Sequence, residues 1–218
     1  VNLIAPEYSR DFVRSLVAMA KQGGWLPIFP MWNHYTAAMI GDHVTAFICE
    51  AYMRGIRDFD VDTAYHYMRQ NAFETPEDYD DYVDGKGRRA LQDYIEHGYI
   101  PMEEPVNEAF HKNEQVSRTL EYAYDDYCLA LMANALGHKA DYQKLMKRAE
   151  NWRNVYDPSV GWVRGRYADG SWYEDFDDDG KMIYITEGTP RHYTWYVPHD
   201  VGGLVDAMGG ADAFERKL

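Results

Sequence analysis

The chain has 218 residues, of which 46% are hydrophobic and 15% aromatic, so it has enough apolar material for a buried core. Its 36 Asp and Glu against 22 Lys and Arg give a formal charge of −14, which excludes nucleic acid and anionic membrane surfaces as favoured partners. No apolar run approaches the roughly 20 residues of a membrane span, and the N-terminal residues lack the pattern of a signal peptide.

Up to about residue 155, apolar residues recur at the three- and four-residue spacing of helices. Ser9 and Asp60 are predicted as N-caps, and Gly98 is predicted to end a helix. The predicted helices cover residues 9–23, 33 or 36–55, 60–68, 86–97, 117–137 and 141–152. This succession favours a mainly α array of helix hairpins. Residues 77–84 are predicted as a solvated acidic loop.

From residue 156 to 200, Gly, Trp, Tyr and Asp replace the helical pattern. Short extended pieces are predicted at 162–167 and 182–186, followed by short helices at 201–208 and from 211 to the end. No Pro- or Ser-rich linker divides the chain, so a single domain over 1–218 is predicted. Cys49 and Cys128 lie among apolar helical residues and are predicted as buried thiols.

The acidic run 174–180 places Asp175, Asp177 and Asp179 at positions 1, 3 and 5 of a calcium-binding loop. Position 12, where such a loop needs a bidentate Glu, is Thr186. We therefore predict no metal site here, but a solvent-facing Asp-Gly turn between two short strands.

Glu187 precedes Gly188 in a stretch rich in aromatic residues and without helical or strand periodicity. Aromatic rings bind the apolar faces of sugars, and a carboxyl group among them can stay protonated and act as a general acid. A structural loop with a surface Glu is the alternative.

Two further groups of residues are candidates for a site. Gly41 lies in the predicted second helix just before His43, which suggests that another group approaches the backbone there, although His43 can equally be a hydrogen-bonded helix residue. Glu121 and Asp125 share one face of the predicted fifth helix, either towards a pocket or towards Lys or Arg of a neighbouring element. Nucleotide-binding, serine-hydrolase and zinc-protease motifs are absent from the sequence.

Taken in order, the segments MIGDH (39–43), TLEYAYDDY (119–127), EG at 187–188 with YTWYVPHD (193–200), and VGGLVDAMGG (201–210) resemble glycoside hydrolase family 92. The resemblance covers about residues 25–218. It implies that the protein is an exo-acting, inverting and calcium-dependent α-mannosidase. Enzymes of this family commonly cleave α-1,2 links in N-glycans or mannans. It also implies an (α/α)6 toroid that follows an N-terminal β-sandwich. The whole chain would then be a partial toroid, with the sandwich and the remainder of the toroid outside it.

By this resemblance Glu187 is the general acid. The substrate-binding residues that it implies are His43, Glu121, Asp125, Asp126, His192, Trp195, His199 and Asp200. The implied partner is a mannose-containing glycan, the implied compartment is secreted or periplasmic, and calcium is expected in the full-length protein but not as a tightly bound ion of this chain.

The sequence departs from the family pattern in two respects. The family motif Glu-Gly-Asn-x-Trp-Gln-Tyr is here Glu-Gly-Thr-Pro-Arg-His-Tyr (187–193), which bears on the linkage and the leaving-group sugar. The family's Trp-Asp-Thr segment is expected before residue 1, and the segment that carries the catalytic base and calcium ligands is expected beyond Leu218. We therefore expect this chain alone to be inactive and to associate with the rest of the protein or with itself.

Two alternatives remain open from the sequence. The chain can be a complete small (α/α) glycosidase whose base lies inside it, for instance Asp200 or Asp126. It can also be a carbohydrate-binding module without catalytic activity.

Overall fold

The computed structural model describes residues 1–218 and is predominantly helical. The helices are α1 (Pro6–Gly23), α2 (His43–Met53), α3 (Val61–Phe73), α4 (Tyr79–Val83), α5 (Leu91–His97), α6 (Gln115–Ala135), α7 (Lys139–Ala149), α8 (Pro190–Tyr193), α9 (Val201–Ala207) and α10 (Ala211–Lys217). A 3-10 turn, Glu150–Asn154, continues α7, and β1 (Tyr156–Asp157) pairs antiparallel with β2 (Trp162–Val163). The predicted mainly α fold class is confirmed.

Helix α6 is the centre of the fold. Sixteen of its 21 residues are buried, as expected for a helix surrounded by other elements rather than lying on a surface. Its C-terminal half, with Leu129 and Met132, packs with α2, α3 and α7 in the larger apolar core, to which α1 also contributes. Its N-terminal half, with Leu120 and Ala123, packs under the irregular segment 156–200 in a second core. The two cores therefore share one helix.

Several helices begin at residues other than those predicted. Pro6, which suits the first turn of a helix, opens α1, so Ser9 is a buried residue inside the helix rather than its cap. Helix α2 begins only at His43, because residues 31–34 form a tight two-residue hairpin with left-handed backbone at its tip. Gly41 therefore precedes α2, and the prediction that it lies inside a helix is wrong.

The predicted helix ends agree better with the structure. Gly24 and Gly98 end α1 and α5 with left-handed backbone, a conformation that glycine adopts without a steric penalty. Asp60 caps α3 as predicted, since its side chain accepts the Thr63 N–H. The buried stripe of α1 is narrower than predicted, because Phe12 is 51% exposed.

The predicted strand at 182–186 does not form, and neither do strands on both sides of the acidic run. The run is instead a turn in which the Asp177 carboxylate accepts the N–H groups of Asp179 and Gly180 at 3.1 and 3.0 Å. Competition by such a short side chain for backbone donors is typical of Asp in turns. The acidic loop at 77–84 contains the exposed helical turn α4, which the sequence analysis missed.

Cys49 and Cys128 are both buried and free, which confirms the buried-thiol prediction. The Cys49 thiol lies 3.7 and 3.8 Å from the sulfur atoms of Met68 and Met132.

None of the helices combines the length and the apolar character that crossing a bilayer requires.

Candidate active site

The site is built on one face of α6. Ser117, Glu121 and Asp125 are spaced by four residues and therefore lie above one another along the helix. The Ser117 hydroxyl accepts the Thr186 N–H at 2.9 Å, and the Ser117 N–H donates to the Tyr184 carbonyl at 3.3 Å. These two bonds attach segment 184–186 to the N-terminal half of α6.

Glu187 follows directly from this attachment and is exposed. Its backbone has a φ of 52°, in the left-handed region that residues other than glycine rarely adopt. Such a conformation costs on the order of 1–3 kcal/mol and persists only where the neighbouring structure imposes it. Here the neighbours are Thr186, bound to α6, and Pro190, which opens α8. The chain thus holds the backbone of Glu187 in a defined conformation at the surface.

A second segment, residues 40–42, is held along the same face of α6. The Arg118 guanidinium donates to the Ile40 carbonyl at 3.1 Å, and the Asp42 N–H donates to Asp125 Oδ2 at 2.8 Å. Gly41 therefore lies against Glu121. A Cβ atom at Gly41 would stand 3.0 Å from Glu121 Oε2. The close approach inferred from the glycine is present, although the helix assumed for it is not.

Glu121 is a buried carboxyl group without a close cationic partner. The residue is 6% exposed, and its Oε2 atom has no hydrogen-bond partner. Burial raises its pKa to about 7, while the Tyr196 hydroxyl and the Arg118 charge act in the opposite direction. His43 Nδ1 lies 3.7 Å from Oε2, but burial lowers the pKa of His43, which disfavours an ion pair near neutral pH.

Tyr193 lies within the electrostatic influence of both carboxyl groups. The pKa of its phenol is raised to about 12, mainly by burial and also by the charges of Glu121 and Glu187, with the Ser117 hydroxyl acting in the opposite direction. Glu187 directly follows Thr186, which is bound to Ser117 one helical turn before Glu121, so the two carboxyl groups belong to neighbouring positions on one face of α6. The sequence analysis did not single out Tyr193 or Ser117. The available signal was the position of Ser117 one helical turn before Glu121.

Asp125 and Asp126 have different surroundings although they are neighbours. Arg88, fully buried, donates to Asp126 Oδ1 at 2.6 Å and to Asp42 Oδ2 at 3.0 Å. Arg148 donates to both oxygens of Asp126, at 2.6 and 2.9 Å. Asp126 therefore joins α6 to α7 and to the segment before α5. Burial raises the pKa of Asp125 well above its usual value, with Arg88 as the main opposing charge.

The other predicted residues that follow α8 also have partners within the fold. The Asp200 carboxylate caps α9 by accepting the Gly203 N–H, and it pairs with Arg153 at 2.7 Å. His199 Nε2 lies 2.9 Å from the Ala149 carbonyl oxygen, which places this ring at the end of α7. These contacts fix the segment after α8 on α7 and on the 3-10 turn.

The two remaining predicted residues lie on or near α8. The Trp195 ring is in edge contact with Trp162 and Phe214, at centroid distances of 6.0 and 5.3 Å. His192 is exposed, and its Nδ1 atom accepts the Thr189 N–H at 3.2 Å in a capping box. The structure thus places His43 3.7 Å from Glu121, and it attaches Thr186, the residue before Glu187, one helical turn before Glu121. Asp126, Trp195, His199 and Asp200 instead contact neighbouring elements.

The calcium expected from the family resemblance requires six to eight oxygen ligands. Among residues 1–218, no three His, Cys, Asp or Glu side chains are arranged to hold a metal ion. The residues of this chain alone therefore do not fit a calcium ion, and no step of the reaction below is assigned to calcium.

Comparisons with known proteins identify the family. The family model described as the glycosyl hydrolase family 92 catalytic domain matches residues 1–218. An "uncharacterized secreted glycosidase" of Arthroderma benhamiae is 28% identical over 95% of this chain and 30% of its own length.

Two solved structures from Bacteroides thetaiotaomicron are similar to this chain. A family 92 α-mannosidase, also solved with mannoimidazole, has 32% identity and a TM-score of 0.82 over 97% of this chain and 26% of its own. A family 92 inverting mannosidase has 30% identity and a TM-score of 0.85 over 97% of this chain and 27% of its own.

This chain thus spans little more than a quarter of the solved structures that it matches. Those structures have an α/α toroid, so the predicted fold class, a partial toroid of helix hairpins, is confirmed. The family resemblance of the sequence motifs is confirmed as well: the chain belongs to glycosyl hydrolase family 92, as part of its catalytic domain.

Proposed function

We propose that this chain is the part of an inverting α-mannosidase that supplies the general acid, Glu187. The observation that carries the proposal is the position of Glu187, exposed on left-handed backbone that segment 184–186 imposes by its attachment to α6. A residue held in that way at an energetic cost is typical of a functional position. The α-mannosidase structures similar to this chain support the choice of reaction.

In this reaction the Glu187 carboxyl donates its proton to the glycosidic oxygen as the bond to the leaving group breaks. A second carboxylate, about 6.5–9.5 Å away, activates the water that attacks the opposite face of the sugar. We assign this base to a part of the protein outside residues 1–218. Within the chain, Asp126 is fully buried between two arginines, and Asp200 caps α9, so neither is free to activate a water.

The surroundings of Glu187 are proposed to bind the sugar. We propose that His43 and Glu121, 3.7 Å apart, contact the sugar, with Asp125 fixing segment 40–42 through the Asp42 N–H, and that the exposed His192 of α8 contacts the leaving group. Trp195, His199, Asp200 and Asp126 are proposed to act by fixing the elements that carry these residues.

The proposed substrate is a terminal α-linked mannose of an N-glycan or a mannan, with an α-1,2 link as the first choice. The proposed protein is secreted, in line with the naming of the relative from Arthroderma benhamiae. Calcium, if the full-length enzyme uses it, is proposed to bind largely to residues outside this chain. The chain alone is expected to be inactive and to associate with the remainder of the protein or with a second copy.

The test is the Glu187→Gln variant of the full-length protein, which keeps the shape of the side chain and removes the proton. Turnover of an unactivated α-mannoside is expected to fall by about 10²- to 10⁴-fold. A mannoside with a dinitrophenolate leaving group, which needs no proton, is expected to lose far less. The exposed Glu215→Gln is the matched control and should change neither rate. Equal losses on both substrates would exclude Glu187 as the acid.

A further inference from the structure

We propose that Glu121, with His43 beside it, recognises one hydroxyl group of the sugar bound at Glu187 and so determines which sugar the site accepts. This inference rests on the proposed function. It assigns to Glu121 a specificity role distinct from the proton donation of Glu187.

The first argument is geometric. Glu121 Oε2 has no hydrogen-bond partner, although only 6% of the surface of the residue is exposed. A buried oxygen without a partner loses its hydration and gains nothing in return, which costs on the order of 1–3 kcal/mol and more for a charged group. A ligand hydroxyl that donates to Oε2 supplies the missing bond. Thr186, the residue before Glu187, is bound to the Ser117 hydroxyl at 2.9 Å, one helical turn before Glu121, so this oxygen lies close to Glu187 along the same face of α6.

The second argument is that the fold makes room for Glu121 and His43. Arg118 and Asp125 hold segment 40–42 in place, one turn before and one turn after Glu121. Glycine at position 41 leaves the space next to it to the side chains of His43 and Glu121. A Cβ atom at this position would stand 2.7 Å from His43 Cε1 and 3.0 Å from Glu121 Oε2, which is too close.

The third argument is a comparison along α6. Asp126, five residues after Glu121, is also buried but has two arginine partners, Arg88 and Arg148. Fully buried acids with a structural role are normally paired in this way. Glu121 has no arginine or lysine within ion-pair distance: its nearest basic group is a histidine at 3.7 Å, and beside it only the Tyr196 hydroxyl and the more distant Arg118 charge favour its ionised form. The unpaired state is explained if the partner of Glu121 arrives with the substrate.

The experiment combines substitution of the protein with deletion of sugar hydroxyls. The full-length protein and its Glu121→Gln variant are assayed for kcat/KM on an aryl α-mannoside and on its 2-, 3-, 4- and 6-deoxy analogues. Glu121→Gln is expected to lose about 10- to 100-fold on the parent mannoside, as for a hydrogen bond to a charged group. For one deoxy analogue the same substitution is expected to cost less than about threefold, because the hydroxyl that Glu121 binds is already absent.

Gly41→Ala is a second, independent variant, expected to show the same dependence on that hydroxyl because its methyl group displaces His43 and Glu121. The exposed Glu7→Gln is the control and should leave all five rates unchanged. Equal losses by Glu121→Gln and Gly41→Ala on the parent and on every deoxy analogue would overturn the inference and leave the proposed function intact. If the unmodified protein neither hydrolyses nor binds any mannoside, the proposed function fails, and this inference fails with it.

Discussion

Glu121→Gln should stabilise the protein, and the gain should depend on pH. Burial raises the pKa of Glu121 from 4.5 to about 7. Below pH 4.5 the group is protonated in both the folded and the unfolded chain and has no effect. As the pH rises towards 7, the unfolded chain ionises first, so the folded chain loses stability. Above pH 7 the full difference, 2.5 pKa units, corresponds to about 3 kcal/mol. Glutamine cannot ionise and avoids this loss.

Thermal unfolding followed by circular dichroism, at pH 5 and at pH 8.5, measures the effect. The gain in Tm is expected to be small at pH 5 and roughly 6–12 °C at pH 8.5, from about 2–4 °C per kcal/mol for a chain of this size. The control is Asp126→Asn, which leaves Arg88 and Arg148 without their shared partner and should destabilise the protein by about 3–5 kcal/mol. A Glu121→Gln variant whose gain is the same at both pH values, or that is destabilised at pH 8.5, would refute the reasoning.

Three further predictions concern Glu187, Ser117 and Cys49. Glu187→Gly removes the penalty of left-handed backbone, so the free energy of unfolding in urea should rise by about 1 kcal/mol while activity is lost. A destabilised variant would contradict the claim that the Glu187 backbone is strained. Ser117→Ala leaves the Thr186 N–H without its acceptor, so the free energy of unfolding should fall by about 1–3 kcal/mol and kcat should fall as well. Unchanged activity would show that this hydrogen bond does not contribute to the active site. Cys49, whose pKa burial raises, should react with a maleimide only as fast as the protein opens, while rapid labelling in the native protein would show that it is not buried.

The ends of the helices were more predictable from the sequence than their beginnings. A glycine in left-handed backbone, as at Gly24 and Gly98, is a local signal that requires no knowledge of the rest of the fold. The segment before α2 was misassigned to a helix because its conformation is fixed by Arg118 and Asp125, which lie about 80 residues further along the chain. Contacts between distant residues of that kind leave no periodic trace in the sequence.

The candidate site shows the same division. The motifs brought Glu121, Asp125 and Asp126 to attention together, since acids at neighbouring helical positions look alike in a sequence. Their environments differ because Arg88 and Arg148, from two distant segments, reach Asp126 and not Glu121. Only the folded arrangement distinguishes a carboxylate that joins helices from one that lacks a partner.

The most direct test of the central claim is the hydrolysis of an α-1,2-mannobioside by the purified full-length protein, followed by proton NMR from the first turnovers. We predict that mannose is released and appears first as the β anomer, because an inverting enzyme delivers water to the face opposite the leaving group. Initial release of α-mannose would contradict inversion. The absence of any mannose release from α-mannosides would contradict the proposed activity itself.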